Sequence, residues 1–128
     1  MAQGKKTILL VEDDVFIRRS YKDGFEIAGF EVDEASDGKE ALAKMKARKP
    51  DLVLLDLIMP VMDGFEALAE IRKNDQWKKI PVIIFSNLGQ ESDFKVVKDL
   101  GATDYFIKSK WSMKEVIDKL RKYLEEKA

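Results

Sequence analysis

Four points in this 128-residue sequence place a chemically capable side chain directly behind a short apolar run. Ile8-Leu9-Leu10-Val11 runs into Glu12, Asp13 and Asp14. Leu52-Val53-Leu54-Leu55 runs into Asp56, Val82-Ile83-Ile84-Phe85 into Ser86, and Tyr105-Phe106-Ile107 into Lys108. In an open parallel sheet, groups just beyond the carboxyl ends of the strands converge where the strand order reverses. Carboxylates drawn together there cannot all stay ionised unless a cation sits among them. The sequence has no His and no Cys. An oxygen-only donor set suits Mg²⁺, with Mn²⁺ as a substitute, and Mg²⁺ commonly bridges to a phosphate. The chemistry such a set can perform is phosphoryl transfer onto a carboxylate. In that reaction Asp56 would attack phosphorus in line, and Mg²⁺ held by Asp13 and Asp56, with Glu12 through water, would offset the oxygen charge. Lys108 pairs with one phosphoryl oxygen and Ser86 donates a hydrogen bond to another. An ionised carboxylate needs no general base, so the missing histidine is no obstacle, but the phosphoryl donor must lie outside this chain.

Each residue also has an ordinary reading. An acid at a strand end often caps the next helix, which fits Asp13 or Asp14. A lone Asp or Ser behind a strand is a common turn residue, and Lys108, near Lys110 and Lys114, could sit in solvent. The argument rests on the set, because separate strand ends supply the parts of one reaction.

The elements that must position these groups are legible. Thr7–Val11, Glu31–Ala35, Leu52–Leu55, Ile80–Phe85 and Thr103–Ile107 read as strands, alternating with helical periods near 15–28, 39–48, 65–74, 91–100 and 113–126. The first, third and fourth strands are apolar without alternation, as strands covered on both faces are. The second alternates, as suits an edge. Asp37 to Glu40 and Asp63 to Glu66 have the spacing of a capped helix start, and Ser112 with Glu115 forms a capping box, with Trp111 and Val116 spaced as a hydrophobic staple. Gly29 and Gly101 stand where helices end. The expected fold class is α/β: a doubly wound five-stranded parallel sheet flanked by five helices, of flavodoxin-like topology. The chain reads as one domain over residues 1–128, with a core at about 6–126 and no output domain.

Composition narrows the function classes. Lys+Arg number 23 and Asp+Glu 24, a net charge of −1, so no basic excess points to nucleic acid or an anionic membrane. Without cysteine there is no thiol chemistry and no disulfide, and the cytoplasm is the expected compartment. No apolar run reaches the ~20 residues of a membrane span, and Met1–Lys6 carries no signal-peptide pattern.

Taken together, these segments resemble the receiver domain of two-component response regulators over nearly the whole chain. Ile8 to Asp14 is similar to the family's acidic-pair strand end. Leu52 to Pro60 with Met62-Asp63-Gly64 is similar to its phosphoacceptor segment and is the most specific match. Ser86 stands at the Ser/Thr position, and Gly101 to Tyr105 with Lys108 resembles the last strand and its lysine. The resemblance implies a single-domain, chemotaxis-regulator-like switch that takes a phosphoryl group on Asp56 from a histidine kinase or phosphotransfer protein. It implies metal ligation by Glu12, Asp13, Asp56 and the backbone carbonyl of Ile58. It also implies a switch in which Ser86 moves towards the phosphate and Tyr105 turns inward, remodelling the face of the fourth helix, fifth strand and fifth helix. An unidentified protein would dock on that face, where Phe94, Val97, Tyr105 and Trp111 are candidates, with the chain a monomer or weak dimer.

Three features depart from the family pattern. Lys108 is followed by Ser109 rather than proline, so a trans bond is expected, and the segment before the fifth helix reads as one residue longer, with Trp111 in the place of the usual apolar anchor. Asn87 replaces a small residue beside the phosphate approach. Ile58 and Leu88, two residues beyond Asp56 and Ser86, are bulky and apolar where attacking water must come, which leads us to expect slow self-dephosphorylation. Two other classes compete: a binding module that keeps the fold without using phosphate, and a Mg²⁺-dependent phosphohydrolase. The second is disfavoured because Ile58 stands where a haloacid-dehalogenase-type enzyme needs a second Asp. A flavin or nucleotide site is disfavoured because no glycine-rich loop follows the first strand.

Overall fold

The structure, a computed structural model, describes residues 4–125. Its elements are β1 (Thr7–Val11), α1 (Val15–Ile27), β2 (Glu31–Ala35), α2 (Gly38–Ala47), β3 (Leu52–Leu55), α3 (Gly64–Lys73), β4 (Val82–Ser86), α4 (Glu91–Asp99), β5 (Asp104–Ile107) and α5 (Met113–Glu125), with a 3₁₀ turn at Lys108–Lys110. All strand pairs are parallel, in the order β2-β1-β3-β4-β5. The expected doubly wound α/β fold is present, with its reversal between β1 and β3.

Strand pleating sorts the apolar side chains into two layers. Leu9, Val11, Val53, Leu55, Val82 and Ile84 face α2, α3 and α4, where Ala41, Met45, Leu68, Ile71 and Val97 meet them. Ile8, Leu10, Leu52, Leu54, Ile83 and Phe85 face α1 and α5, meeting Phe25, Val116, Leu120 and Leu124. Because both faces are covered, β1, β3 and β4 are buried at every position, whereas on the edge strand β2 only Val32 and Ala35 are buried.

Helix boundaries follow local chemistry. Asp37 and Asp63 accept from the N–H groups of Glu40 and Glu66, so α2 and α3 begin at Gly38 and Gly64, one residue earlier than expected. The Ser112–Glu115 box is reciprocal, with bonds of 2.9 and 3.1 Å, and Trp111 packs on the Val116 layer while stacking on Phe106. Gly29 and Gly101 take φ of 103° and 101°, as helix ends of this kind require. β4 starts at Val82 rather than Ile80, because Ile80 N–H is spent on Trp77 O and Pro81 has no N–H. It ends on Ser86 itself. The expected end of α5 at Glu126 lies outside the described residues.

Two loops are built unusually tightly. At the lower edge, the Arg72 guanidinium donates to the carbonyls of Gly101, Trp77 and Ile80 and so ties the α3–β4 and α4–β5 connections together. At the carboxyl end of β3, Met62 N–H donates to Pro60 O across Val61, a γ-turn with φ 68° at a β-branched residue. The chain then returns so closely that a Cβ on Gly64 would stand 2.1 Å from Asp56 O. Gly64→Ala is therefore expected to lower stability by about 1–3 kcal/mol, read as a reduced urea midpoint, and to shift the Asp56 amide resonance; an unchanged midpoint would contradict the close approach.

Candidate functional site

Pairing places the acids side by side. Val11 and Leu55 are partners in register, and the ladder runs one step further, with Glu12 N–H donating to Ala35 O and Asp56 N–H to Val11 O. Glu12 and Asp56 thus leave neighbouring strands at the same level, and both are buried. Asp13 is exposed at the rim. One carboxylate oxygen from each of the three lies within 4.8 Å of the others, a spacing at which one hard cation can be shared. Asp14 is not part of this group: it caps α1, accepting from Phe16 and Ile17 N–H. The capping reading holds for Asp14, and Asp13 remains with the cluster.

Lys108 reaches over from β5. Its ammonium donates to Asp56 Oδ2 at 2.9 Å and makes a short contact with Glu12 Oε1. Lys108 therefore pairs directly with the acids, and this resident cation offsets the like charges that the spacing of acids implied. Burial pushes the Lys108 ammonium down to about 8, so it remains cationic at neutral pH. Burial pushes Asp56 above the ordinary Asp value, while hydrogen bonds from Ser86, Ile58 N–H and Leu57 N–H pull the other way. The Leu57 bond, 2.7 Å to Oδ1, fixes the carboxylate orientation.

The remaining candidates take distinct places. Ser86 is buried at the end of β4, within reach of both Asp56 and the Leu88 N–H. Tyr105 is half-buried; its hydroxyl donates to Leu88 O and its ring meets Phe94 edge-on at 4.4 Å. Burial, together with the carboxylates of Asp93 and Asp56, raises its hydroxyl to about 12. Ile58 is 61% exposed beside Asp56, whereas Leu88 packs partly against the core. Asn87 points to the β5–α5 connection, where its Oδ1 accepts from Ser109 N–H at 3.1 Å. Every peptide bond among the described residues is trans, as expected after Lys108. Between β5 and Trp111 the chain makes a 3₁₀ turn over Lys108–Lys110.

Arg18 was not legible in advance. From α1 it donates to Glu12 O and pairs with Glu34, bracing the backbone that carries the acids; no spacing in the sequence links those residues. Removing the buried cation leaves Glu12 and Asp56 unpaired, so Lys108→Met is expected to lower metal-free stability by about 3 kcal/mol. Saturating Mg²⁺ should raise the melting temperature of this variant more than that of the unaltered chain; equal shifts in the two would mean that Lys108 does not share the acids' charge.

Comparison with known proteins agrees with this geometry. The profile of the response regulator receiver domain matches residues 8–121. The chain is 41% identical over 104 residues to the chemotaxis protein CheY of Thermotoga maritima, covering 80% of this chain and 85% of that protein. The structure of Vibrio cholerae CheY4 superposes with a TM-score of 0.88 at 30% identity, covering 94% of this chain and all of that one. The CheX-CheY-BeF3-Mg²⁺ complex of Borrelia burgdorferi gives a TM-score of 0.83 at 33% identity, over 91% and 87% of the two chains. The chain spans about half the length of several curated relatives, which are probable transcriptional regulators. Among the described residues no helix is long and apolar enough to cross a membrane. With the fold, the strand-end acids and the match over residues 8–121 in agreement, this chain belongs to the response regulator receiver domain family.

Proposed function

We propose that the chain is a phosphorylation-activated signalling switch in which Asp56 accepts a phosphoryl group from a separate histidine-kinase-type donor. The observation that carries this reading is the buried Asp56 carboxylate, held by Leu57 N–H on one oxygen and by Lys108 on the other, at the open end of the sheet. A carboxylate oxygen forms the new bond to phosphorus as the donor's bond to phosphorus breaks, leaving its electron pair on the donor atom. Glu12, Asp13, Asp56 and the Ile58 carbonyl would hold Mg²⁺, which offsets charge on the transferring oxygens. Lys108 is already cationic and next to Asp56, so it exchanges a carboxylate for a phosphoryl oxygen without travelling far. Ser86, buried at the neighbouring strand end, can donate to another.

Tyr105 is the readout. Its hydroxyl holds the Leu88 carbonyl, two residues beyond Ser86, so a shift of Ser86 towards the phosphate alters the same loop that Tyr105 grips. The altered surface is the face of α4, β5 and α5, through which a downstream protein would be recognised. Ile58, exposed beside Asp56, hinders water attack, which favours slow loss of the phosphoryl group.

Incubation with phosphoramidate, with and without Mg²⁺, followed by intact mass tests the assignment. We expect an adduct that requires Mg²⁺ and is absent in Asp56→Asn. Metal binding without an adduct would instead favour a phosphate-independent binding module, and continuing phosphate release a hydrolase. Ile58→Asn is expected to shorten the adduct lifetime by about tenfold, equivalent to roughly 1.4 kcal/mol of barrier; an unaltered lifetime of seconds would sink the role given to Ile58.

A further inference from the structure

Ser86 and Ile107 are the last partnered residues of β4 and β5. Beyond them the strands part, β4 into the loop before α4 and β5 into the 3₁₀ turn of Lys108–Lys110. The first N–H groups of a helical turn have no acceptor within it. A proline at position 109 would leave no N–H there to satisfy, but Ser109 has one, and Asn87 Oδ1 accepts it. A side chain thereby adds one more rung to the β4–β5 ladder, at the point where the backbones separate. The rung is made by the N–H of the peptide bond that follows Lys108. Lys108 extends from the turn after edge strand β5 past the Phe85 ring on β4, 5.7 Å from its ammonium, to reach Asp56 and Glu12. A long flexible side chain can hold such a distant pairing only if its base is held still.

We infer that Asn87 is a positioning residue: by clasping Ser109 N–H it fixes the turn from which Lys108 reaches the acceptor carboxylate, in place of a proline. This rests on the reading of Lys108 as the group that meets the phosphoryl oxygens. It accounts together for two departures from the family pattern, a larger residue at position 87 and a non-proline at 109.

The test uses the full chain. In Asn87→Ala, hydrogen exchange at the Ser109 amide should accelerate about fivefold, the size of one ordinary hydrogen bond. The Lys108 side-chain methylene resonances should move as well. Asn87→Asp keeps the acceptor and should keep the amide protected. The Mg²⁺-dependent rate of adduct formation from phosphoramidate should fall by about threefold to tenfold in Asn87→Ala, and not fall further when the substitution is made in Lys108→Ala. Unchanged Ser109 exchange would overturn the clasp. An equal fall in the Lys108→Ala background, or a faster rate in Asn87→Ala alone, would mean that Asn87 acts on donor access instead. If the unaltered chain takes up no phosphoryl group, the proposed function fails. The clasp is then decided by Ser109 exchange and the Lys108 resonances alone.

Discussion

The parallel pairing of β1 with β3 is the constraint on which the rest of the molecule depends. It sets Glu12 and Asp56 at one level on adjacent strands, buried, with Asp13 at the rim. Left to themselves these groups would repel and protonate. Lys108, brought from the far side of β4, supplies the opposing charge. A site held in this way is stable at rest and has a built-in reason to respond to a metal ion or a phosphoryl group, because either alters the charge that Lys108 now balances.

The loops around this point divide into a rigid side and an adjustable one. Behind Asp56 the chain is pinned: Gly64 packs against its carbonyl, Gly38 N–H donates to Met62 O, and Val61 is held at positive φ. Backbone strain persists only where the surroundings over-determine it. The β4–α4 side is joined by lighter means: the Leu88 N–H to Ser86 Oγ at 3.5 Å and the Tyr105 hydroxyl to Leu88 O. Such polar contacts can be exchanged individually, whereas the packed loop moves only as a whole. Asp56 is therefore backed by a packed loop, while the β4–α4 segment is held by separate polar contacts. Arg72 secures the opposite edge of the sheet, so rearrangement above need not loosen the strands below.

The acids, the serine and the lysine were readable because each follows an apolar run, and a parallel sheet brings strand ends together. The caps were readable because Asp and Ser three residues before Glu compete well for free helix N–H groups. Deciding which of Asp13 and Asp14 caps α1 was beyond sequence, since either side chain suits the role; the fold gives it to Asp14. The start of β4 was misplaced by the apolar Ile80, whose N–H is committed to a turn.

What the sequence by itself determined is the alternation of strands and helices, the fold class and the identity of the groups at the open end of the sheet. These follow from local periodicity and residue type. The tertiary structure decided how those groups are used: that Lys108 stands between Glu12 and Asp56, that Tyr105 grips the Leu88 carbonyl, that Arg18 braces the acidic strand end, and that Asn87 answers Ser109. Apart from the Arg18–Glu12 bond, each of these joins residues far apart in the chain, and the physical reason is the same for all. A hydrogen bond or ion pair depends on distances of a few ångströms, which only the completed packing of the sheet supplies.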